Sequence, residues 1–305
     1  MFQKNISLKQ YTGFKIGGSA KYFLEAKNLK DLIKAVKEAK QKQIPIFVLG
    51  GGTKLLINDK GFKGLVIKIR TSSFKIQKNK IISEAGVGLT RLVIASMKAG
   101  LTGLEWAIEI PGTVGGAIHG NSGAFGSYIS KIVKSVTVLN PNNLKIKKYS
   151  HPQCRFGYRE SVFKHNRDVI LSVELKLEKG DPKKSLTIMK EYLKRRRERI
   201  PVYPSAGSIF KNQKSKIKNQ KLLEKFPELK RVIKKGAIPA AWFIEKCGLK
   251  GKRSGGAKIS EKHANFIVNF NKAKAKDVLV LINLVKKQVK KKFGINLEEE
   301  MIYLV

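Results

Sequence analysis

Apolar residues recur along this chain with two periods. From Asn28 to Lys42, the residues Leu29, Leu32, Ile33, Val36 and Ala39 share one face at helical spacing, with Asn28 placed to cap the helix. The apolar run Ile44 to Val48 follows as a strand, and Leu65 to Ile69 reads as another. Ile76 to Ser83 predicts a hairpin turning at Lys78-Asn79, and Leu89 to Ala99 a helix stopped by Gly100. Strands are expected over Ile132 to Leu139 and Leu144 to Tyr149, around the turn signal Asn140-Pro141-Asn142-Asn143. From Val169 to Leu177 the alternation is strict, with Val169, Leu171, Val173, Leu175 and Leu177 facing one way. A basic helix is expected over Lys183 to Ile200, a long amphipathic helix from Lys272 to Phe293 ending at Gly294, and a last strand over Leu297 to Val305. Helices and strands interleaved in this way predict an α+β chain, and its length favours two or three subdomains.

Glycine interrupts the pattern in two places. Seven glycines fall between Gly103 and Gly126, in GLEWAIEIPGTVGGAIHGNSGAFG, and a shorter cluster, Leu49-Gly50-Gly51-Gly52-Thr53, closes the strand that ends at Val48. Glycine reaches positive φ without a Cβ clash, and successive turns aim N–H groups into one concavity that suits an anion. Either loop alone reads best as a tight turn, but two such loops fit a dinucleotide.

The formal charge of +41 raises a nucleic-acid reading. Eleven of the 63 cationic residues are Arg and the remainder are Lys spread from end to end, whereas base and phosphate readers lean on Arg. The excess is therefore read as compositional, and no specific nucleic-acid partner is expected. No run approaches the roughly 18 to 20 apolar residues of a membrane span, and the N-terminus shows no apolar signal core, so a soluble, cytoplasmic protein is expected. Cys154 and Cys247 stand far apart and His119, His151, His165 and His263 are isolated, so no metal site is expected.

Beyond glycine, the wording Ile110-Pro111-Gly112-Thr113-Val114-Gly115-Gly116-Ala117, Asn121-Ser122-Gly123-Ala124-Phe125-Gly126 and Gly50-Gly51-Gly52-Thr53-Lys54-Leu55-Leu56-Ile57 resembles the FAD-binding half of the UDP-N-acetylenolpyruvoylglucosamine reductase family. Further matches are Cys154-Arg155-Phe156-Gly157-Tyr158-Arg159-Glu160-Ser161, Pro204-Ser205-Ala206-Gly207-Ser208-Ile209-Phe210-Lys211-Asn212, and Gly248-Leu249-Lys250-Gly251 running to Ser260-Glu261-Lys262-His263-Ala264-Asn265. Glu300 falls where the family has its terminal catalytic Glu. The resemblance implies a two-lobed FAD-binding domain of the vanillyl-alcohol-oxidase/PCMH type, with lobes 1–70 and 71–197. An α+β substrate-binding domain, 198–305, would follow, carrying a basic insertion, 213–235, that reads as a solvated face. It also implies reduction of a UDP-sugar enolpyruvyl ether with FAD and NADPH, by a chain expected to be a monomer.

The same resemblance assigns roles. Arg159 and Glu300 would hold the negative charge that develops on the substrate, and Ser208 would protonate the carbanion. Gly50, Gly51, Gly52, Thr53, Lys54, Gly112, Thr113, Gly115, Gly116, Asn121 and Gly123 would surround FAD. Tyr158, Lys211, Asn212, Lys250, Lys258 and Asn265 are the candidates for the substrate. The family usually shows Ser-Asn where Thr53-Lys54 stands, Ser at Thr113 and Gln at Lys258. The short link between Leu177 and Lys183 leaves no room for a tyrosine-bearing loop, which marks the type II subclass. The turn carrying Thr12-Gly13 precedes the first strand in the family and lies near the flavin. Another flavin oxidoreductase on the same scaffold is the rival reading, but the Tyr-Arg-x-Ser, Gly-Ser-x-Phe-Lys-Asn and terminal-Glu set disfavours it.

Overall fold

The computed structural model describes residues 2–214, 220–233 and 236–305. The chain forms two compact units: 1–7, 19–52 and 62–198 make the first, and 8–18, 53–61 and 199–305 the second. The second unit thus takes in two short N-terminal segments that chain order does not announce.

In the first unit, the parallel strands Ser19–Ala26, Phe62–Ile69 and Ile46–Leu49 are extended by Gln3–Ser7, which pairs antiparallel with Ser19–Ala26. The helix Leu29–Gln41 starts where expected, because the Asn28 side chain accepts a hydrogen bond from the Asp31 N–H at 2.9 Å. Its buried face of Leu32, Ala35, Val36 and Ala39 packs with Leu65 and Ile67 of the sheet. A second sheet of the same unit is antiparallel throughout, in the order Ile146–Ser150, Val133–Leu139, Val169–Lys176, Lys80–Glu84, Phe74–Gln77. Its strand Val169–Lys176 serves two cores: Val169 and Leu171 join the Leu32 cluster, while Val173, Leu175 and the following Leu177 pack with Trp106 and Leu92. The expected single apolar face is divided because register shifts against Val133–Leu139 break the alternation.

The second unit has an antiparallel sheet in the order Ser205–Ser208, Phe266–Asn269, Ala257–Ile259, Arg253–Ser254. The helix Ala275–Phe293 buries Val278, Leu281, Ile282, Val285 and Val289, and ends at Gly294 with φ +71°. It begins three residues later than the apolar period suggests, because acceptors gather there. The Asp277 carboxylate takes the Lys274 N–H at 2.9 Å, and Asp59 takes those of Ala275 and Lys276 at 2.8 and 3.2 Å. The last strand is only Ile302–Leu304, and it runs parallel to Leu55–Ile57. A strand, Gln3–Ser7, also precedes the turn at Thr12-Gly13 that was expected to come before the first strand. No helix among the described residues is long and apolar enough to cross a membrane.

The insertion corrects the sequence reading. Residues 215–219 and 234–235 of it lie outside the described residues. The rest is closed by the antiparallel pair Gln213–Lys214 and Ala237–Ile238 and contains the helices Gln220–Lys225 and Leu229–Val232. Leu229 is fully buried, and the Phe226 ring lies 5.4 Å from Trp242 and 5.5 Å from Phe293, centroid to centroid. Its apolar side chains belong to the core, although lysines dominate its composition. Replacing Leu229 by Ala is therefore expected to lower the unfolding free energy by about 2–5 kcal/mol. Urea titration followed by Trp fluorescence measures it; a change below about 0.5 kcal/mol, the surface range, would mean that the segment is solvated after all.

Candidate functional site

In the first unit the two glycine loops meet. A Cβ on Gly51 would stand 2.5 Å from the Gly112 Cα, and one on Gly50 would stand 2.8 Å from Thr113 Oγ1. Gly52 and Gly112 hold φ of +65° and +128°, which an L side chain resists. Thr113 caps the short helix Val114–His119, its Oγ1 accepting the Gly116 N–H at 3.3 Å. Gly115 lies against the strand end, donating its N–H to the Ala85 carbonyl at 2.8 Å; a Cβ there would meet the Ala85 Cβ at 2.8 Å. Beneath the first loop, the Lys68 ammonium donates to the Gly50 carbonyl. Burial, aided by the Arg70 charge and opposed by Glu25, lowers its pKa to about 8.

The second loop also holds an arginine. Arg159 has φ +55°, and its Nη2 donates to the Gly123 carbonyl at 2.9 Å, while its own carbonyl accepts from Lys164 Nζ at 2.7 Å. The tight turn around it is closed by mutual backbone bonds between Gly157 and Glu160. Buried Asn121 ties that turn to the loop, its Nδ2 donating to the Gly157 carbonyl at 2.7 Å and its Oδ1 accepting the Ser130 N–H at 3.2 Å. Ser161 Oγ donates to the His119 carbonyl at 2.7 Å. Burial holds the His119 imidazole near 4, with Lys164 pushing the same way, so the ring is neutral at pH 7. Tyr158 lies under the guanidinium, with the Arg159 Cζ 5.6 Å from its ring centroid.

In the second unit, Ser208 ends the strand Ser205–Ser208, after Gly207 with φ +71°. Two backbone bonds fasten the residues beyond it: the Ile209 N–H goes to the Asn265 carbonyl at 2.9 Å, and the Glu300 N–H to the Ile209 carbonyl at 2.7 Å. Lys54 Nζ donates to the Ser208 carbonyl at 2.7 Å and pairs with Glu300 Oε1 at 3.2 Å. Asn265 is buried and spends its amide on Phe210, accepting its N–H and donating to its carbonyl, both at 2.9 Å.

Relatives decide what this arrangement is. Residues 199–304 match the UDP-N-acetylenolpyruvoylglucosamine reductase C-terminal domain, and 20–144 match the FAD binding domain. A UDP-N-acetylenolpyruvoylglucosamine reductase of Clostridium novyi is 37% identical over 98% of this chain and 91% of its own. One of Caldicellulosiruptor bescii is 40% identical over 99% of this chain and 90% of its own. The crystal structure of the reductase from Thermus caldophilus superposes with a TM-score of 0.80 at 30% identity, covering all of both chains. The chain belongs to the UDP-N-acetylenolpyruvoylglucosamine reductase family.

Its fold is that of the family, a PCMH-type FAD-binding domain with the reductase C-terminal domain, and the family uses FAD and NADPH. The first unit suits such a cofactor in that its two glycine loops pack together at Gly50, Gly51, Gly112 and Thr113, and close-set turns free of side chains can present backbone N–H groups to phosphates. Of the residues expected around FAD, the structure brings Gly50 and Gly51 against Gly112 and Thr113, and Asn121 and Gly123 against the Arg159 turn. Thr53 and Lys54 belong to the second unit, where Lys54 meets Ser208 and Glu300.

The substrate candidates have varied surroundings. Lys211 pairs with Glu298 at 3.3 Å, and Asn212 Oδ1 accepts the Ala240 N–H at 3.3 Å. Lys258 sits 4.4 Å from the Phe270 ring centroid and 3.4 Å from Glu261, and Lys250 pairs with Glu245. Lys68 and Lys164 are contributors the sequence did not single out; each is one lysine among 52, and its carbonyl partner appears only in the fold.

Two outcomes are expected. Gly51→Ala should yield a protein that folds but purifies without flavin absorbance, whereas Gly88→Ala, where an added Cβ meets nothing within 4 Å, should stay yellow. Normal flavin content in Gly51→Ala would contradict the loop contact. Lys68, with a pKa lowered from 10.5 to about 8, binds fewer protons in the folded than in the unfolded chain between those values. Its contribution to stability therefore rises as pH climbs from about 8 towards 10.5, and Lys68→Met should remove that rise. Parallel wild-type and variant melting curves across this window would contradict the assignment.

Proposed function

We propose that the chain catalyses the FAD-dependent, NADPH-driven reduction of UDP-N-acetylglucosamine enolpyruvate to UDP-N-acetylmuramate, a step of peptidoglycan precursor synthesis. The observation that carries this reading is the full-length likeness to reductases of that name, at 37 to 40% identity, combined with the Ser208–Glu300 constellation of the second unit.

Bound FAD supplies the relay of hydride from NADPH to the terminal carbon of the enolpyruvyl double bond. Negative charge then collects on the neighbouring carbon and its carboxylate. Arg159, whose Nη2 is held by the Gly123 carbonyl, offers its guanidinium to that charge. Glu300 contributes a protonated carboxyl group as a hydrogen-bond donor to the developing enolate. Ser208 Oγ delivers the proton to carbon; a hydroxyl is a weak acid, but the carbanion is a strong base and placement is what matters. Tyr158, Lys211 and Asn212, with Lys250 and Lys258, serve the sugar and diphosphate, while Asn265 serves by holding Phe210 in place.

The chain is further read as type II. The pairing of Glu178–Lys179 with Leu101–Thr102 and the start of the helix at Pro182 support this, since they leave only Gly180 and Asp181 between strand and helix. A monomer working in the cytoplasm completes the proposal.

Stopped-flow absorbance on Ser208→Ala tests it. Flavin bleaching by NADPH should stay near the wild-type rate, while reoxidation by the enolpyruvyl sugar should fall by at least roughly 10²-fold, the scale of a lost general acid. Ser205→Ala serves as the control. Equal slowing of both half-reactions would assign Ser208 to the turn's structure instead.

A further inference from the structure

We propose that Lys54 is a positioning residue for the proton-delivery half of the cycle: its ammonium clamps the Ser208 carbonyl and the Glu300 carboxyl group into one fixed arrangement. The inference rests on the roles given above to Ser208 and Glu300.

Both ends of Lys54 are tied to the segment that holds Glu300 and Ile302, and its ammonium is tied to Ser208 as well. Its backbone carbonyl accepts the Ile302 N–H at 2.9 Å, which opens the parallel pairing of Leu55–Ile57 with Ile302–Leu304. Its Nζ reaches Ser208 O at 2.7 Å and Glu300 Oε1 at 3.2 Å. The side chain also covers the turn, since a Cβ on Gly207 would stand 3.4 Å from Nζ. Glu300 keeps only 10% of its side chain exposed. A carboxyl group with so little water needs a donating neighbour, which Lys54 supplies through Oε1.

Anchoring the carbonyl of Ser208 fixes the peptide that follows and therefore the direction of its Cα–Cβ bond. Anchoring Glu300 limits its rotamers. Lys54 thus acts through Ser208 and Glu300. The ammonium brings its charge to the Ser208 carbonyl and to Glu300 at once.

The test uses the holoenzyme in four variant forms: Lys54→Met, Lys54→Arg, Glu300→Gln, and Lys54→Met combined with Glu300→Gln. In Lys54→Met, reoxidation by the enolpyruvyl sugar should slow by about 10²-fold relative to flavin reduction by NADPH, as a small misplacement of reacting groups can cost. Lys54→Arg should recover most of that loss. The double variant should lose less than the product of the two single losses, because residues acting as one unit are not additive. Loss of FAD, or equal slowing of both half-reactions in Lys54→Met and Lys54→Arg, would make Lys54 a flavin ligand or a structural residue and overturn the proposal. Multiplicative losses in the double variant would overturn it as well. If the wild-type flavin is not reoxidised by the enolpyruvyl sugar at all, the proposed function itself falls; if it is, and Lys54→Met reoxidises at the same rate, only the role of Lys54 does.

Discussion

Gly51 and Gly112 come so close that a methyl group on Gly51 would lie 2.5 Å from the Gly112 Cα, and only hydrogen fits between the two loops. That contact joins the end of the parallel sheet to the stretch that follows the helix Leu89–Lys98. Much of the unit's chemistry is hung from it. Thr113 is then placed to cap Val114–His119, and Asn121, just past that helix, is placed to seize the turn that aims Arg159. Lys68 supports the same contact from below by holding the Gly50 carbonyl. Glycine here is required because the backbone itself is the packing surface.

The second unit reaches comparable rigidity through pairings between residues far apart in the chain. Leu55–Ile57 lies beside Ile302–Leu304, Glu300 bonds to Ile209, and the Lys211 N–H donates to the Glu298 carbonyl at 2.8 Å. Ser208 and Glu300 are therefore set by sheet and bridge geometry, with Phe210 and Ile209 buried immediately behind them. Catalytic groups placed on such elements hold their position better than groups on free loops.

Local signals were legible. The helix Leu29–Gln41 could be read because period and cap agree, and the hairpin at Lys78-Asn79 because its turn is short. The site was legible only in part. Ser208, Arg159 and Glu300 are ordinary residues by pattern, singled out by resemblance, and the left-handed φ of Arg159 leaves no trace in composition. The contacts of Lys54 were hidden because its hydrogen-bond partner lies 154 residues away. Lysines around Leu222, Leu223, Phe226 and Leu229 likewise masked an apolar set that packs into the core. Charge dominates composition there, while burial follows the few side chains that turn inward.

The central claim is tested most directly by running the reaction in heavy water with NADPH and UDP-N-acetylglucosamine enolpyruvate, and examining the product by NMR and mass spectrometry. The account predicts consumption of NADPH mole for mole with the enolpyruvyl sugar. It also predicts a lactyl ether carrying one solvent deuterium on the carbon next to the carboxylate, delivered to a single face. Recovery of the enolpyruvyl sugar unchanged while NADPH is oxidised at the expense of oxygen alone would contradict it.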